Sequence, residues 1–161
     1  MHSIIPINEI QRSVDDIRKN NPGIRIVFTN GIFDILHQGH VAYLEEAKAL
    51  GDLLILGLNS DDSSRRLKGN DRPYVDQDDR AFILSRLESV DIISIFEDDT
   101  PINLIKHIKP DVLVKGGDYN LSEIVGRDLV EGYGGKVCTI PFIIGKSTTN
   151  LINRIRSENG V

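Results

Sequence analysis

Apolar residues are spaced along the chain in two alternating patterns, which predict helices and strands in turn. Between Ile7 and Lys19 they recur every three or four positions, as in an amphipathic helix, and "NNPG" at 20–23 ends that helix. The next runs, "IRIVFTN" and "LLILGLNS", are nearly continuous in apolar residues, as expected for strands covered on both faces. Three later strands are predicted, at "IISIF", "DVLVKGG" and "KVCTIPF".

Helical stretches separate these strands. They are predicted at 41–50, 80–90, 100–108, 122–133 and 147–157. Thr100 is the predicted N-cap of the third of them, with Pro101 at its first position. The segment 61–79 has no apolar period and reads as a polar, basic connection.

This order of elements predicts an α/β fold, a Rossmann-like, doubly wound, five-stranded parallel sheet. We expect residues 1–161 to form a single domain, in which 1–23 are a helix and turn before the first strand. In such sheets ligands bind beyond the carboxyl ends of the strands, near a switch in strand order. Four polar loops follow strand ends and are predicted to meet there: "TNGIFDILHQGH", "NSDD", "KGGDY" and "GKSTTN".

Composition narrows the possible partners and the compartment. A net charge of -5 argues against duplex nucleic acid or an anionic membrane as the main partner. The single cysteine, Cys138, allows no internal disulfide and lies in an apolar strand without a second cysteine nearby, so a buried structural thiol is expected. With a charged N-terminus and no apolar run of transmembrane length, the sequence predicts a cytoplasmic protein.

His37 and His40 stand three apart, where the first strand gives way to a helix. Helix N-termini bind anions, and Gly39 between the two histidines would let a phosphate approach the backbone. Two other interpretations exist. A zinc site would need a further ligand, and His2 and His107 are poorly placed for it. A bare His-x-x-His pair can also be two unrelated histidines, but the preceding strand and "TNG" favour phosphate donors.

The other loops carry weaker signals. In "GKSTTN" a plain helix cap accounts for one hydroxyl, and three in succession suggest an anion site, without the glycine spacing of a Walker loop. "KGGDY" is either an ordinary turn or a contact to phosphate or base. "RRLKGNDRP", taken alone, is most simply a solvated charged loop.

Together these motifs resemble the nucleotidyltransferase superfamily that carries an HxGH signature. "NGIFDILHQGH" matches its first motif, and "GKSTTN" resembles the "GISTT" motif of its cytidylyltransferase branch. The chain is most similar to the branch that makes ADP-heptose from a D-glycero-D-manno-heptose 1-phosphate. That resemblance covers roughly residues 8–156 and rests on "TNGIFDILHQGHVAYLEEAKALGD", "NSDDSSRRLKGNDRP", "VKGGDY" and "STTNLI".

The resemblance implies transfer of AMP from ATP to a heptose 1-phosphate, with Mg²⁺ carried by the nucleotide and no metal ligand from the chain. The implied catalytic residues are His37, His40 and Lys68. The implied sugar-phosphate ligands are Asp34 and Arg72. The implied nucleotide contacts are Asn30, Gly31, Ile32, Phe33, Gly39, Lys115, Gly116, Asp118, Gly145, Ser147, Thr148 and Thr149.

One position departs from the cytidylyltransferase pattern. Phe142 stands where that pattern has an arginine, so the phosphate role of the arginine is missing or is taken by Lys146, Lys115 or Arg72. This favours the heptose branch over a CTP-dependent cytidylyltransferase that acts on an alcohol phosphate. A GTP-using heptose-phosphate guanylyltransferase and a non-catalytic nucleotide-binding regulator remain alternatives, whereas a redox Rossmann protein would need GxGxxG after the first strand. From the family we also expect a homodimer. In bifunctional relatives this domain follows a sugar kinase, and because the chain starts just before the domain, we expect the kinase to be a separate protein.

Overall fold

The computed structural model describes residues 3–117 and 120–158, and within them six parallel strands form one sheet. The strands are β1 (Ser3–Ile4), β2 (Ile26–Gly31), β3 (Leu53–Asn59), β4 (Ile92–Phe96), β5 (Val112–Gly116) and β6 (Lys136–Ile140). The helices are α1 (Ile7–Asn20), α2 (Gln38–Lys48), α3 (Asp61–Lys68), α4 (Gln77–Leu84), α5 (Ile102–Ile108), α6 (Arg127–Gly132) and α7 (Thr148–Glu158), with a 3₁₀ turn at Leu121–Glu123.

Alternate residues of the central strands enter two separate cores. Val27 packs on one face of the sheet with Leu44 of α2, whereas Phe28 packs on the other face with Ile10 of α1 and Leu104 of α5. Successive side chains of a strand point to opposite faces, so a strand covered on both sides is apolar at every position. This is why the near-continuous apolar runs in the sequence predict the central strands correctly.

The prediction of five strands is wrong by one. All five predicted strands are present, and β1 pairs with β4 through Ser3 and Ile4, opposite Ile92 and Ile93. A two-residue strand is too short to show any hydrophobic period, so the pattern could not reveal it.

Four sequence predictions that concern helices also need correction. The "polar, basic connection" contains α3, whose buried residues are Ser63 and Ser64 and therefore leave no apolar stripe. The predicted Thr100 cap is wrong, because α5 begins at Ile102, after Pro101, and has no side-chain cap. The helix predicted over 122–133 is interrupted by Gly126, whose φ of 92° is left-handed, and the one over 80–90 ends at Leu84.

The strand order β1-β4-β3-β2-β5-β6 places a topological switch between β2 and β5. Their pairing extends only to Phe28 opposite Leu113, although β2 continues beside β3 and β5 continues beside β6. Tyr43 of α2 lies at this divergence, where its hydroxyl contacts the Thr29 hydroxyl and donates to the Val114 carbonyl. The resulting crevice is where sheets of this type bind ligands.

None of the helices in the described parts of the chain combines the length and the apolar character that a bilayer crossing requires.

Candidate functional site

The loop between β2 and α2 has an unusual backbone. Phe33 and Ile35 have φ values of 50° and 47°, in the left-handed region. For a β-branched residue such as Ile35 this conformation is a true outlier, which surrounding contacts must stabilise. Such strain concentrates at ligand-binding sites, and here it occurs within the HxGH loop.

Asp34 supplies much of that stabilisation. Its carboxylate, only 2% exposed, accepts hydrogen bonds from Arg72 Nε at 2.7 Å and from the Tyr74 and Val75 backbone N–H groups at 3.0 Å. Asp34 and Arg72 were predicted to bind the sugar phosphate. In the structure the two residues bind each other, and the Asp34 oxygens are directed into the protein, so Asp34 shapes the loop and only Arg72 retains an exposed edge.

His37 and His40 form one stack of rings at the N-terminus of α2. Their centroids are 3.8 Å apart with planes inclined by 21°, and the Phe33 ring lies 5.2 Å from His40. His37 is also the N-cap, since its Nδ1 accepts the Gly39 N–H at 3.1 Å. With Nδ1 used as an acceptor, the proton of a neutral His37 is on Nε2, where it can be donated to a ligand.

Both imidazoles are neutral at pH 7. Burial, reinforced by neighbouring His37 and opposed by Asp34, lowers the pKa of His40 to about 4. Burial and then the charge of Lys146 lower the pKa of His37. The Nδ1 atom of His40 is buried without a hydrogen-bond partner among the described residues, which is unusual outside functional sites.

Lysines approach the crevice from both sides. Lys115 Nζ donates to Asn30 Oδ1 at 3.1 Å across the switch point, and burial followed by the charge of Lys68 lowers its pKa. On the other side, a Cβ on Gly39 would be 3.2 Å from Cβ of Lys146 and 3.0 Å from Cε1 of His37. A glycine at this position thus allows the loop before α7 to pack on the start of α2, which brings Lys146 beside the histidines.

The hydroxyls of "GKSTTN" mainly hold the chain together. Thr148 Oγ1 donates to the Asp34 carbonyl at 2.8 Å, and Ser147 Oγ accepts the Asn150 N–H at 3.1 Å, as an N-cap does. The predicted plain cap is therefore present at Ser147. The Thr148 bond joins the start of α7 to the β2–α2 loop, so the two predicted phosphate-binding motifs lie in contact.

The β5 side of the crevice is lined by glycine backbone. The Phe142 ring packs directly on the backbone of Gly116 and Gly117. A Cβ atom added to Gly116 would lie 2.6 Å from this ring, and one added to Gly117 would lie 2.8 Å from it. Phe142 as a whole is still 61% exposed. Phe142 brings no charge to the phosphates, whereas Lys146 and Lys115 both reach the crevice. Asp118, a predicted nucleotide contact, lies outside the described residues.

Sequence reasoning missed Arg80. This arginine is 2% exposed and donates to the carbonyl oxygens of Ile32, Asn59 and Val75 and to the Asp61 carboxylate. It belongs to no motif, and the only sequence signal is its place in a helix after a charged loop. Burial of that one guanidinium could not be inferred from the pattern.

Other features do not suit a polyphosphate or a zinc ion. A surface pocket of about 480 Å³ beside α3 and α4 is lined by aspartates and a glutamate, among them Asp61, Asp76 and Glu97, which would repel a nucleotide. In residues 3–117 and 120–158 no three His, Cys, Asp or Glu side chains are grouped so that they could hold a metal ion. His37 and His40 thus have no third ligand in that part of the chain.

Comparison with known proteins gives one consistent result. A family model described as cytidylyltransferase-like matches residues 28–153. The bifunctional protein HldE of Trichlorobacter lovleyi is 58% identical over 83% of this chain, and that of Syntrophotalea carbinolica is 52% identical over 98%. The chain spans only 27% and 32% of those two proteins.

Solved structures agree with the fold. A lipopolysaccharide core biosynthesis protein from Thermoplasma volcanium GSS1 is 30% identical, with a TM-score of 0.60, and the match covers 75% of this chain and 98% of that one. A pantoate-beta-alanine ligase from Francisella tularensis, complexed with beta-gamma ATP and beta-alanine, is 18% identical with a TM-score of 0.62 over 98% of this chain and 78% of its own. The latter likeness concerns the fold alone.

Proposed function

We propose that the chain, which belongs to the cytidylyltransferase-like family, transfers AMP from ATP to a D-glycero-D-manno-heptose 1-phosphate. The observation that carries this proposal is the pair of stacked, neutral imidazoles at the start of α2, with lysines on both sides. The choice of a heptose branch rests on the sequence resemblance, and the high identity to HldE proteins supports it.

In the proposed reaction, a phosphate oxygen of the sugar phosphate attacks the α-phosphorus of ATP. The bond between the α-phosphorus and the oxygen bridging to the β-phosphorus breaks, and pyrophosphate leaves with that electron pair. The products are ADP-heptose and pyrophosphate. The attacking phosphate is already ionised near neutral pH, so the chain needs no general base and contributes positioning and charge stabilisation.

His37 and His40 donate N–H groups to the phosphates in this mechanism. Because both are neutral in the free protein, they act first as hydrogen-bond donors, and an arriving triphosphate favours their protonated forms. Lys68, Lys115 and Lys146 supply the positive charge. Burial, and after it the charge of Lys68, lowers the pKa of Lys115, and a bound polyanion would favour the charged form of this lysine.

Mg²⁺ belongs to the proposal as a part of the substrate. The one carboxylate at the β2–α2 loop, Asp34, already accepts bonds from Arg72 and two backbone N–H groups, which makes it a poor metal ligand. Magnesium keeps several waters and binds substrate phosphates, where it would neutralise charge on the triphosphate.

The test is pyrophosphate release with Mg²⁺ and a heptose 1-phosphate, compared among ATP, CTP and GTP. We expect the highest kcat/KM with ATP. A higher value with CTP or GTP would instead assign the chain to the cytidylyltransferase or guanylyltransferase alternative. Tight ATP binding without pyrophosphate release from any nucleotide would indicate the regulator.

We also propose that the protein is a homodimer in the cytoplasm. The chain has exposed apolar side chains on α4, Phe82 and Ile83, which a two-fold interface could cover. Light scattering across micromolar concentrations should give twice the chain mass, and a single chain mass throughout would contradict the dimer.

A further inference from the structure

The buried Arg80 side chain joins four parts of the crevice wall. Its Nη1 donates to the carbonyls of Ile32 at 2.5 Å and Asn59 at 3.0 Å, which lie just beyond β2 and at the end of β3. Its Nε donates to Val75 at 2.9 Å, and its Nη2 to Asp61 at the start of α3 at 2.8 Å. Three of these four bonds end on backbone carbonyls, so the guanidinium fixes the orientation of three peptide groups.

The peptide between Ile32 and Phe33 matters most for the chemistry. In a planar trans peptide the C=O and the N–H point in opposite directions. Arg80 holds the Ile32 carbonyl on its own side, so the Phe33 N–H points away from Arg80. Phe33 has a left-handed φ of 50°, and this backbone needs a partner that holds it in place.

Residues 72–80, the segment that ends with Arg80, also hold the β2–α2 loop at Asp34. The Tyr74 and Val75 backbone N–H groups and Arg72 bind the Asp34 carboxylate, while Arg80 binds both Ile32 and Val75. Residues 72–80 thus bind the β2–α2 loop, which leads to the HxGH histidines, at two positions, Ile32 and Asp34. A displacement of that segment would move the loop with it.

We infer that Arg80 is a positioning residue for nucleotidyl transfer: it orients the Ile32–Phe33 peptide so that the Phe33 N–H binds nucleotide phosphate. This inference rests on the proposed function. Arg80 itself, fully buried beneath the loop, does not touch substrate. Its effect is therefore on the geometry of the transition state more than on the affinity for the nucleotide.

Kinetics of Arg80→Lys test this inference. A lysine keeps the charge but cannot reach all four acceptors, so kcat should fall about 10- to 100-fold with a change in KM for ATP of less than about 3-fold. The matched control is Arg86→Lys, an exposed arginine two residues past α4 whose guanidinium lies 4.8 Å from the Phe82 ring centre and outside the crevice. The control should keep wild-type kcat. A folded Arg80→Lys protein with kcat within 2-fold of wild type would overturn the inference.

A second measurement does not depend on turnover. In the wild-type protein the Phe33 amide resonance should shift when inorganic pyrophosphate is added, and in Arg80→Lys this shift should shrink while the control keeps it. An unresponsive Phe33 amide in the wild-type protein would refute the inference. If the wild-type protein shows that shift but releases no pyrophosphate from any nucleotide, the proposed function fails and the role of Arg80 in phosphate binding stands.

If Arg80→Lys does not fold, Asp61→Asn takes its place. That substitution removes the negative partner of Arg80 at the more exposed end of the contact, where the Asp61 side chain is 19% exposed. A smaller Phe33 shift and a lower kcat would support the inference. Wild-type values for both would overturn it.

Discussion

The two sides of the crevice are built differently. On the β2 side, buried Asp34 and Arg80 and the cap at His37 fix a strained loop from several directions. On the β5 side, the wall is the glycine backbone of β5 beneath the Phe142 ring. Ile144, in the same loop after β6 as Phe142, is 97% exposed. Under the proposed function, the β2 side would hold phosphates in a geometry that is set before the ligand arrives, whereas the exposed apolar side chains of the β5 side would be left to contact the base.

The largest expected effect comes from the histidines. His37→Ala or His40→Ala should lower kcat about 10²- to 10³-fold, or roughly 3–4 kcal/mol, because each removes a preorganised donor from the transition state. Steady-state kinetics with ATP and Mg²⁺ measure this, and thermal melts confirm folding. Near-normal kcat in both folded variants would remove the basis for assigning chemistry to the β2 side.

The next effect concerns Asp34. Asp34→Asn should reduce the free energy of unfolding by about 3 kcal/mol, because Arg72 loses its partner and the strained loop its anchor. Urea denaturation provides the value. The control is Asp62→Asn, which breaks an exposed pair with Arg65 and should cost less than about 1 kcal/mol. Equal losses in the two variants would show that the Asp34 network does not stabilise the loop specifically.

Low pH should reduce the free energy of unfolding through His40, which lies on the β2 side of the crevice. The pKa of His40 is about 4 in the folded protein and near 6.5 in the unfolded chain, so below pH 6.5 the unfolded state binds more protons. This contribution to stability is present above pH 6.5 and is lost as the pH falls toward 4. Allowing for the partial exposure of the ring, we expect a loss of about 2 kcal/mol.

Urea denaturation at pH 7 and pH 4.5 checks this loss against His40→Gln, which lacks the titrating group. The wild-type protein should lose more stability than the variant between the two pH values. Parallel losses would mean that His40 titrates normally in the folded state.

The smallest effect is expected on the β5 side. Phe142→Leu should raise KM for the nucleotide about 3-fold, under about 1 kcal/mol, while kcat changes little, because we expect the exposed Phe142 ring to contact the base. Phe82→Leu is the control, since Phe82 is similarly exposed at 56% but lies on α4. A large fall in kcat for Phe142→Leu would contradict the claim that the β2 side supports the chemistry and the β5 side only nucleotide binding.

The sequence predicts the parts of this architecture that depend on local pattern. Two-sided apolar runs gave the strands, and their alternation with helices placed the motif loops at one sheet edge, where Lys115 now meets Asn30 across the switch point. Helix α3 escaped prediction because its buried residues are serines. A hydrophobic period is visible only where burial and apolar character coincide.

The contacts that hold the site could not be predicted in the same way. Asp34 looks from sequence like a ligand or a turn residue, and only the fold shows that Arg72 and two N–H groups use its oxygens. Arg80 has no sequence signal beyond its place in a helix after a charged loop, because its four acceptors lie in three separate parts of the chain, at Ile32, at Asn59 and Asp61, and at Val75. Such contacts depend on the three-dimensional arrangement of distant segments, so the spacing of residues along the sequence does not predict them.

The central claim is that the phosphate side of the crevice is preformed and the base side is open. Its most direct test is calorimetry of the free protein, titrated with tripolyphosphate and, separately, with adenosine. We expect tripolyphosphate to bind with most of the binding free energy of ATP and adenosine to bind only weakly. Tight binding of adenosine together with undetectable binding of tripolyphosphate would contradict it.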